Sequence, residues 1–564
     1  MITFESPTYY SATKKYNLSF PTLESDIEAD VVVIGGGFSG INTALELAEQ
    51  GVTNIVVLEA RYLGYGGTGR NGGQIMAGIG HDLEKVRSSV GDQGVRDIFE
   101  ISELGAGIIK ARIARYAIDA DFCHGYGYMG FNRRQEQTLR KWEKEFKAIN
   151  TRDEIRFLGG SEVRQIIGSN AYSSALLHMG GGHVHSLNLL LGEAQALVGH
   201  GARIFEHSPA LEVTYGERIK VRTGRGSVRA SKLLWACDSF LNKLEPELHA
   251  RTINTYAFQM MTEPLPDELI ERISPIRGAY SDIRPVIDYY RVTRENRLLF
   301  GAATPLVEHF PLDLKAWNRA LMLKIFPYLK DVRIDLAWGG PMATSANLFP
   351  QIGTLGNRPN AFYVQGYSGF GVTPSHIICK VLAEGMLEGS KRYDLIELGQ
   401  ACAHLRQGPL PPAAAHCRQD RAPAVGLLQR PSLNLLTQPW RTAMTLTAAK
   451  QGVQLSELDA WGTVADLGSE ILEGDVKAFG KMTYGAPDDA VSSAYFGTTR
   501  GKFRMVYPFD EQAVIVTGEI QLTDESTGQV TRYKAGDAWF VTKGTPVLWE
   551  VLSESFVKHY LAVA

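Results

Sequence analysis

The stretch Asp30-Val31-Val32-Val33-Ile34-Gly35-Gly36-Gly37-Phe38-Ser39-Gly40 decides the fold. Val31 to Ile34 is a short, apolar, β-branched run of the kind that forms a strand covered on both faces. Gly35, Gly37 and Gly40 follow with G-x-G-x-x-G spacing. The first glycine permits a tight turn, the second lets the backbone approach a pyrophosphate, and the third lets a helix pack close to the strand. A helix that starts here aims unpaired N–H groups and its positive dipole end at the phosphate, so Phe38 and Ser39 join the glycines as cofactor-binding candidates. A glycine turn alone is a weak signal; its context makes it a strong one. Ile41 to Gln50 has helical periodicity at Ile41, Ala44, Leu45, Leu47 and Ala48 and ends at Gly51, a natural C-cap. Asn54 to Leu58 reads as a second strand. Glu59 ends it, about 20 residues past the glycines, where an acid binds the ribose hydroxyls of a dinucleotide. Ala60 and Arg61 follow and belong to the same candidate set. Strand, turn, helix, strand and acid in this order define a dinucleotide site on an α/β, Rossmann-like unit.

The next segment, Leu63-Gly64-Tyr65-Gly66-Gly67-Thr68-Gly69-Arg70-Asn71-Gly72-Gly73-Gln74, is too rich in glycine for the interior of a helix or strand. Its place directly after the ribose-binding acid favours a second wrap around a pyrophosphate or flavin over a plain flexible loop. It supplies Gly67, Thr68, Arg70, Asn71, Gly72, Gly73 and Gln74 as cofactor-binding candidates. Here the chain resembles the amine-oxidising branch of the D-amino-acid oxidase superfamily of FAD proteins, which includes glycine, sarcosine and gamma-glutamylputrescine oxidases. Its Gly-Arg-Asn-Gly-Gly-Gln run is most similar to the gamma-glutamylputrescine oxidase type. The patch Ser6-Pro7-Thr8-Tyr9-Tyr10-Ser11-Ala12-Thr13 resembles the N-terminal arm of that type, although a polar, aromatic arm also describes a frayed end. The resemblance covers roughly Pro7 to Asp394. It implies a Rossmann-like FAD-binding domain joined to an antiparallel-sheet substrate domain, as in the glutathione-reductase and D-amino-acid-oxidase folds.

Composition fits this reading. At 564 residues the chain has room for several domain-sized cores. Its 44% apolar and 21% charged residues are ordinary for a globular protein, and a net charge of −3 gives no basic footprint for nucleic acid or an anionic membrane. Cys123, Cys237, Cys379, Cys402 and Cys417 show no C-x-x-C spacing, which argues against a zinc ribbon or a disulfide framework and for a reducing compartment. No run reaches membrane-spanning length and the first residues carry no secretory pattern, so the expected location is cytoplasmic.

Asp82 to Tyr116 and Gln135 to Asn150 have helical spacing. Between them, Phe122 to Phe131 is aromatic and glycine-rich, and is read as a strand pair that either lines the site or is ordinary half-buried sheet. His183 and His185 precede a helix over Leu187 to Gly199. Two alternating histidines without a third ligand do not make a metal site, and no metal is expected. The resemblance puts a similar Gly-His-x-His segment near the substrate pocket, while a hydrogen-bonded structural role is the better reading of either ring.

Ala202 to Phe205, Leu211 to Thr214, Ile219 to Thr223 and Lys232 to Ala236 read as strands. Flavoproteins of this kind often end such a returning strand in a small-residue turn beside the cofactor; Leu211, Ala236 and Cys237 are candidates there, with Cys237 an inert buried thiol. Thr255 to Thr262 and Arg297 to Ala302 belong to a second, antiparallel sheet, with Asp288-Tyr289-Tyr290-Arg291-Val292-Thr293 between them. In related amine oxidases this sheet covers the flavin, and its tyrosines and arginines face the substrate, so Tyr290 and Arg291 are the catalytic candidates. Alternation puts Tyr290 and Val292 on one face and Tyr289 and Arg291 on the other without saying which face is the pocket. Gly340, then Gly369, Phe370, Gly371, Val372 and Thr373 repeat the opening logic of strand, glycine turn and helix, with a helix over Pro374 to Gly389. In the family such a helix faces the pyrimidine end of the flavin. Phe370 stands where many relatives have histidine. Some sarcosine oxidases tether the flavin to a cysteine near Pro341-Met342-Ala343-Thr344; with no cysteine here, FAD is expected to bind non-covalently.

Beyond residue 400 the chain changes. Residues 401–445 hold proline and alanine with little periodicity and read as a linker. Residues 446–564 are strand-rich, with strands expected at Gln512 to Leu522, Thr531 to Tyr533, Ala538 to Thr542, Val547 to Val551 and Phe556 to Leu561. They resemble a cupin, an all-β barrel. Metal-binding cupins carry a His-x-His pair before the glutamate and a late histidine; here Met505, Tyr507 and Val547 stand at those places, and Glu511 alone cannot hold a transition metal. A metal-free cupin serving assembly, and hence a homo-oligomer, or binding a small molecule, is expected. The expected domains are residues 1–400 for the FAD-dependent oxidoreductase (FAD-binding part about 28–80, 200–245 and 335–395; substrate part about 81–199 and 246–334) and 446–564 for the cupin.

The function implied is FAD-dependent oxidation of a C–N bond in an amine or amino acid, a polyamine-derived amine favoured. Hydride passes to flavin N5, the imine hydrolyses to an aldehyde, and oxygen or an electron carrier takes the electrons. Two alternatives stand beside it: a flavin dehydrogenase of a hydroxy acid, and a flavin-binding sensor or scaffold whose cupin reads a ligand.

Overall fold

The computed structural model describes residues 7–79, 83–241, 244–284, 286–303, 311, 313–400, 452–484 and 491–563. The chain forms two compact units that divide at residues 422 and 423. That division, and the expected linker at 401–445, lie outside the described residues.

In the first unit, the opening run forms the strand Asp26–Ile34, at the heart of a sheet ordered Gln351–Leu355, Arg358–Gln365, Ser227–Trp235, Asp26–Ile34, Ile55–Leu58, Arg203–Phe205. The inner strands are parallel, with Val31 opposite Ile55 and Val33 opposite Val57. Alternation explains the unbroken apolar run. Val31, Val33, Ile55 and Val57 face a core shared with Ile41 and Leu45 of the helix Phe38–Glu49 and Ile378 and Leu382 of the helix Val372–Leu387. Val32, Ile34, Val56 and Leu58 face a second core with Leu233, Trp235 and Ile219. Each fully buried aliphatic side chain contributes about 1.5–3 kcal/mol of transfer free energy, so both faces hold the sheet in place.

The second sheet is ordered Ile334–Ser345, Thr252–Thr262, Leu298–Ala303, Asp288–Val292, Ala279–Asp282, Cys123–Gly130, Ser174–His183, Gln74–Ile75. Residues 122–131 make one strand, not a pair. Gly125, at φ 98°, produces a bulge where the register shifts between His124 and Tyr126, and Gly127 makes room for the ring of Tyr280. These glycines serve packing and a bulge rather than a hairpin turn. One face of this sheet carries Met260, Tyr280, Tyr290, Val292, Leu298 and Phe300 into a separate core with Met322 and Ile325 of the helix Leu314–Ile325.

The second unit is all β, with strands ordered Asp459–Thr463, Lys477–Tyr484, Val491–Val506, Pro546–Val563, Asp510–Thr517, Ala538–Val541 along the main path. Two differences from the expected strands have local causes. Gly518, at φ 89°, splits the run expected at 512–522 into Asp510–Thr517 and Glu519–Asp524. The runs expected at 547–551 and 556–561 join into Pro546–Val563, because one long partner, Val491–Val506, pairs along its length with a single irregularity.

Candidate active site

A cavity of about 860 Å³ lies where the C-terminal ends of the parallel strands meet the antiparallel sheet. This is the position in which open α/β sheets bind ligands, and the volume suits a large cofactor. The residues directly after the strands ending at Ile34, Leu58, Trp235 and Gln365 all contribute to its wall: Gly35 to Ser39, Glu59 to Arg61, Ala236 to Phe240, and Tyr367 onward.

The glycine turn has the geometry its spacing requires. Gly35 has φ 119°, and a Cβ there would stand 2.4 Å from the Ala236 carbonyl oxygen. A Cβ on Gly40 would stand 1.9 Å from the Gly35 carbonyl oxygen, so Gly40 seats the helix on the turn and lies behind the cavity wall. The corresponding position on Gly37 meets only Thr68 Oγ1, at 3.1 Å, which leaves its backbone open to a ligand. The Phe38 N–H donates to Thr68 Oγ1 at 3.0 Å, and Ser39 Oγ donates to Tyr367 Oη at 3.0 Å. Glu59 accepts from the Gly36 N–H and the Arg61 N–H, each at 2.8 Å. Burial raises its pKa and these two N–H groups oppose that. Each carboxylate oxygen takes one of these two bonds.

The glycine-dense loop is braced from within. Asn71 donates to the carbonyl oxygens of Gly67 and Thr68 and accepts from the Gly73 N–H and Ser186 Oγ. Arg70 is buried and donates to the carbonyls of Tyr65 and Gly339, beside Gly340. Gly67, Thr68, Arg70, Asn71, Gly72, Gln74 and Gly340 line the cavity; Gly73 faces the Val184 backbone instead. Gly369 to Thr373 line it as well, at the start of the helix Val372–Leu387, and Thr373 Oγ1 accepts from the Met76 N–H at 3.1 Å. Ala236 and Cys237 are in the wall. Burial pushes the Cys237 thiol up to about 12, so it stays protonated. Leu211 is not in the wall: at the start of an edge strand it is 48% exposed, and Ala210 takes the lining position.

The antiparallel sheet answers which face of Asp288–Val292 meets the cavity. Tyr289 lines it. Tyr290 points the other way, stacked between Tyr280 and Phe300 at centroid distances of 5.5 and 5.7 Å. Arg291 shares the Tyr289 face but lies behind the loop, outside the wall. It donates to the Gly72 carbonyl at 2.8 Å, to Tyr10 Oη at 3.2 Å, and to His183 Nδ1 at 3.3 Å. It therefore pins the loop to the N-terminal arm, whose Tyr9 and Tyr10 are buried. His183 Nε2 lies 3.0 Å from the Arg277 carbonyl, which makes it the N–H nitrogen and leaves Nδ1 to accept from Arg291. His185 Nδ1 caps the helix Ser186–Gly199. Neither histidine reaches the cavity.

Among the wall residues not chosen from the sequence are Asp238, Gln259 and Tyr289, the last passed over for its neighbour Tyr290. Asp238 accepts from the Gly366 N–H at 2.9 Å and the Ala343 N–H at 3.1 Å, tying three strands together at the cavity edge. Only the small-residue turn Cys237-Asp238-Ser239 after a buried strand could have flagged it.

Comparison with known proteins agrees with this geometry. The family described as DAO, FAD dependent oxidoreductase, matches residues 30–385. The chain belongs to the FAD-dependent oxidoreductase family. Gamma-glutamylputrescine oxidoreductase of Escherichia coli (strain K12) is 34% identical over 411 residues, covering 73% of this chain and 94% of the relative. A probable oxidoreductase, OrdL, of Haemophilus influenzae is 31% identical over 395 residues, covering 69% and 90%. Among solved structures, L-proline dehydrogenase from P. horikoshii superposes with a TM-score of 0.56 at 18% identity, covering 66% of this chain and 98% of the other. Glycine oxidase from Bacillus cereus superposes with 0.53 at 18% identity, covering 67% and 99%. These place the fold of this oxidoreductase, and its cofactor is FAD. Gly35, Gly37, Glu59 and the loop at 63–74 are the groups that would hold it.

The oxidoreductase carries a second matched family, a EutQ-like cupin domain, at residues 485–560. Glu511 there forms a buried ion pair with Lys558, whose ammonium lies 4.8 Å from the ring centroid of Trp549 and 5.4 Å from that of Trp539. Met505, Tyr507 and Val547 supply no metal ligand beside it, and among the described residues no group of three or more His, Cys, Asp or Glu could hold a metal ion. Among the described residues no helix is long and apolar enough to cross a membrane.

Proposed function

We propose that this oxidoreductase oxidises a C–N bond of an amine, with a polyamine-derived amine as the favoured class, giving an imine that hydrolyses to an aldehyde. The observation that carries the reading is the match along nearly the whole length of gamma-glutamylputrescine oxidoreductase. The character of the antiparallel-sheet wall supports it. Gln259, Tyr289, Ile287, Ala257, Thr255 and Met76 line that side, and none is charged. Among the described wall residues, the arginines are Arg61, beside the ribose-binding acid, and Arg70, committed to backbone carbonyls. A hydroxy acid or α-amino acid would bring a carboxylate next to the reacting carbon and call for a cation there. An amine does not.

FAD supplies the hydride acceptor, at N5 of its ring. The chain's part is to hold the substrate's C–H bond in line, to keep the nitrogen unprotonated so that its lone pair can assist, and to exclude water with side chains such as Met76 and Ile287.

The test is an anaerobic titration followed at the flavin absorbance, with polyamines, gamma-glutamyl-polyamines, D-amino acids, N-methyl glycine and 2-hydroxy acids. Bleaching by the polyamine-derived amines is expected, and readmitted air then tells oxidase from dehydrogenase. Bleaching by hydroxy acids alone overturns the proposal in favour of a hydroxy-acid dehydrogenase. A flavin that no member reduces points to a sensor or scaffold.

A further inference from the structure

One cross-strand row of the antiparallel sheet faces the cavity. Gln259 pairs with Gly301, and Gly301 pairs in turn with Tyr289. Side chains in such a row are neighbours, and the middle one normally keeps the outer two apart. Here the middle one is missing. A Cβ on Gly301 would stand 2.3 Å from Tyr289 Cε2 and 2.7 Å from its Oη. The tyrosine ring therefore lies across the vacant position and its hydroxyl reaches the next strand but one, where Gln259 Nε2 donates to it. The ring also meets Gly72 of the cofactor loop, where a Cβ would stand 2.7 Å from Tyr289 Cε2. Two glycines thus make room for the ring, and its hydroxyl holds the amide.

With Nε2 committed, Gln259 Oε1 has no hydrogen-bond partner, although Gln259 is only 1% exposed and lines the cavity. A buried acceptor is costly unless something donates to it. An incoming N–H is what this oxygen lacks. Its neutrality is equally informative. A carboxylate at this place would favour an ammonium, which has no lone pair to assist hydride departure. An amide oxygen accepts one N–H of a neutral amine without rewarding its protonation.

We propose that Gln259 binds the nitrogen of the substrate and that Tyr289 is the positioning residue that aims it, so that the site selects amines in their neutral form. This rests on the amine-oxidising reading above and names the residues that enforce it.

The experiment compares wild type, Gln259→Leu, Gln259→Glu and Tyr289→Phe as FAD-loaded full-length protein. Anaerobic flavin reduction is followed against amine concentration and pH, using the amine that bleaches the wild type. Losing one hydrogen bond, about 1.4 kcal/mol, is worth roughly tenfold in affinity. Gln259→Leu is therefore expected to raise the half-saturating amine concentration about tenfold, with flavin content unchanged. Tyr289→Phe should raise it less, because the amide stays but loses its brace. Gln259→Glu should move the pH dependence of reduction upward by about one unit, since a carboxylate favours the bound ammonium. As a readout independent of turnover, tert-butylamine has no hydrogen on the carbon next to nitrogen. It should perturb the oxidised flavin spectrum at about tenfold higher concentration in Gln259→Leu than in wild type. Unchanged half-saturation, pH profile and tert-butylamine binding in both Gln259 variants would overturn the assignment. Should Gln259→Leu fail to load FAD, the pH profile of Gln259→Glu decides alone. A wild type that no amine bleaches defeats the amine reading itself, and tert-butylamine binding then still reports on Gln259.

Discussion

His183 and His185 sit behind the loop that lines the cavity, and each is held as a neutral ring. Burial, with the Arg291 guanidinium adding to it, lowers His183 to about 3 and His185 to about 4, from 6.5. Above pH 6.5 neither the folded nor the unfolded chain protonates them, so they cost nothing. Below it the unfolded chain takes up the protons and the folded chain does not, so stability falls as pH drops from 6.5 towards 4, and for His183 towards 3. Each ring contributes a slope of about 1.4 kcal/mol per pH unit in that window. His185→Asn keeps an N-cap acceptor for the helix Ser186–Gly199 but removes the titrating ring. The expected outcome is a shallower loss of melting temperature between pH 6.5 and 4 than in wild type, read by calorimetry across pH; an identical slope would show that His185 is not held neutral. At this scale the sequence was most legible where sterics are local. Gly35, Gly37, Gly40 and Glu59 could be placed from spacing because a turn, an approach and an acid each admit few residue types. Tyr289 and Gln259 could not. A strand's period of two separates Tyr289 from Tyr290 but carries no label for the cavity side, and Gln259 matters through an empty position at Gly301 that only the register of three strands reveals.

Among the elements, the decisive contact is between the helix Phe38–Glu49 and the turn that precedes it. Gly40 lies behind the cavity wall, yet a Cβ there would meet the backbone carbonyl of Gly35, which cannot rotate away as a side chain could. Gly40→Ala is expected to push the helix Phe38–Glu49 off the strand end and to destabilise the first unit by about 1–3 kcal/mol, the usual cost of overpacking. FAD retention after gel filtration should fall with it, because Phe38 and Ser39 at the helix start form part of the cavity wall. A stable Gly40→Ala protein that keeps its full flavin would show that the turn is softer than its geometry indicates. Elements were legible where one pattern ran without interruption: the parallel strands, buried on both faces, stood out as continuous apolar runs. The strand Cys123–Gly130 did not, because its glycines make a bulge and a notch for Tyr280, and in sequence a bulge glycine and a turn glycine look alike. The strand Val491–Val506 was missed for a related reason. Its serines, threonines and glycines carry little alternation, and it is held by pairing to Pro546–Val563 rather than by a pattern of its own.

Taken as a whole molecule, the chain contains two units with separate cores, and the second encloses a buried charge pair. Lys558 and Glu511 are each 2% exposed, and five aromatic rings, those of Phe496, Tyr507, Trp539, Trp549 and Tyr560, lie with centroids 4.8 to 5.7 Å from the ammonium. Burial lowers the pKa of Lys558 and Glu511 opposes that. The missing histidines were visible in the sequence; the lysine that pairs with Glu511 was not, because it lies in a later strand and carries no motif. Such a pair is stabilised mutually or not at all. Lys558→Met leaves a buried, unpaired carboxylate and should cost about 3–5 kcal/mol, whereas Lys558→Met with Glu511→Leu replaces both charges by apolar groups and should recover most of that loss or exceed wild type. Calorimetry of the full-length holoenzyme is the measurement, with flavin release monitored in parallel. The expected outcome is that the single variant lowers one transition while the temperature of flavin release stays put, and that the double variant restores it. If the double variant is worse than the single one, the aromatic shell requires the ammonium itself and the pair is more than mutual neutralisation. If flavin release moves together with the cupin transition, the two cores unfold as one, and the cupin contributes directly to the stability of the FAD-binding unit.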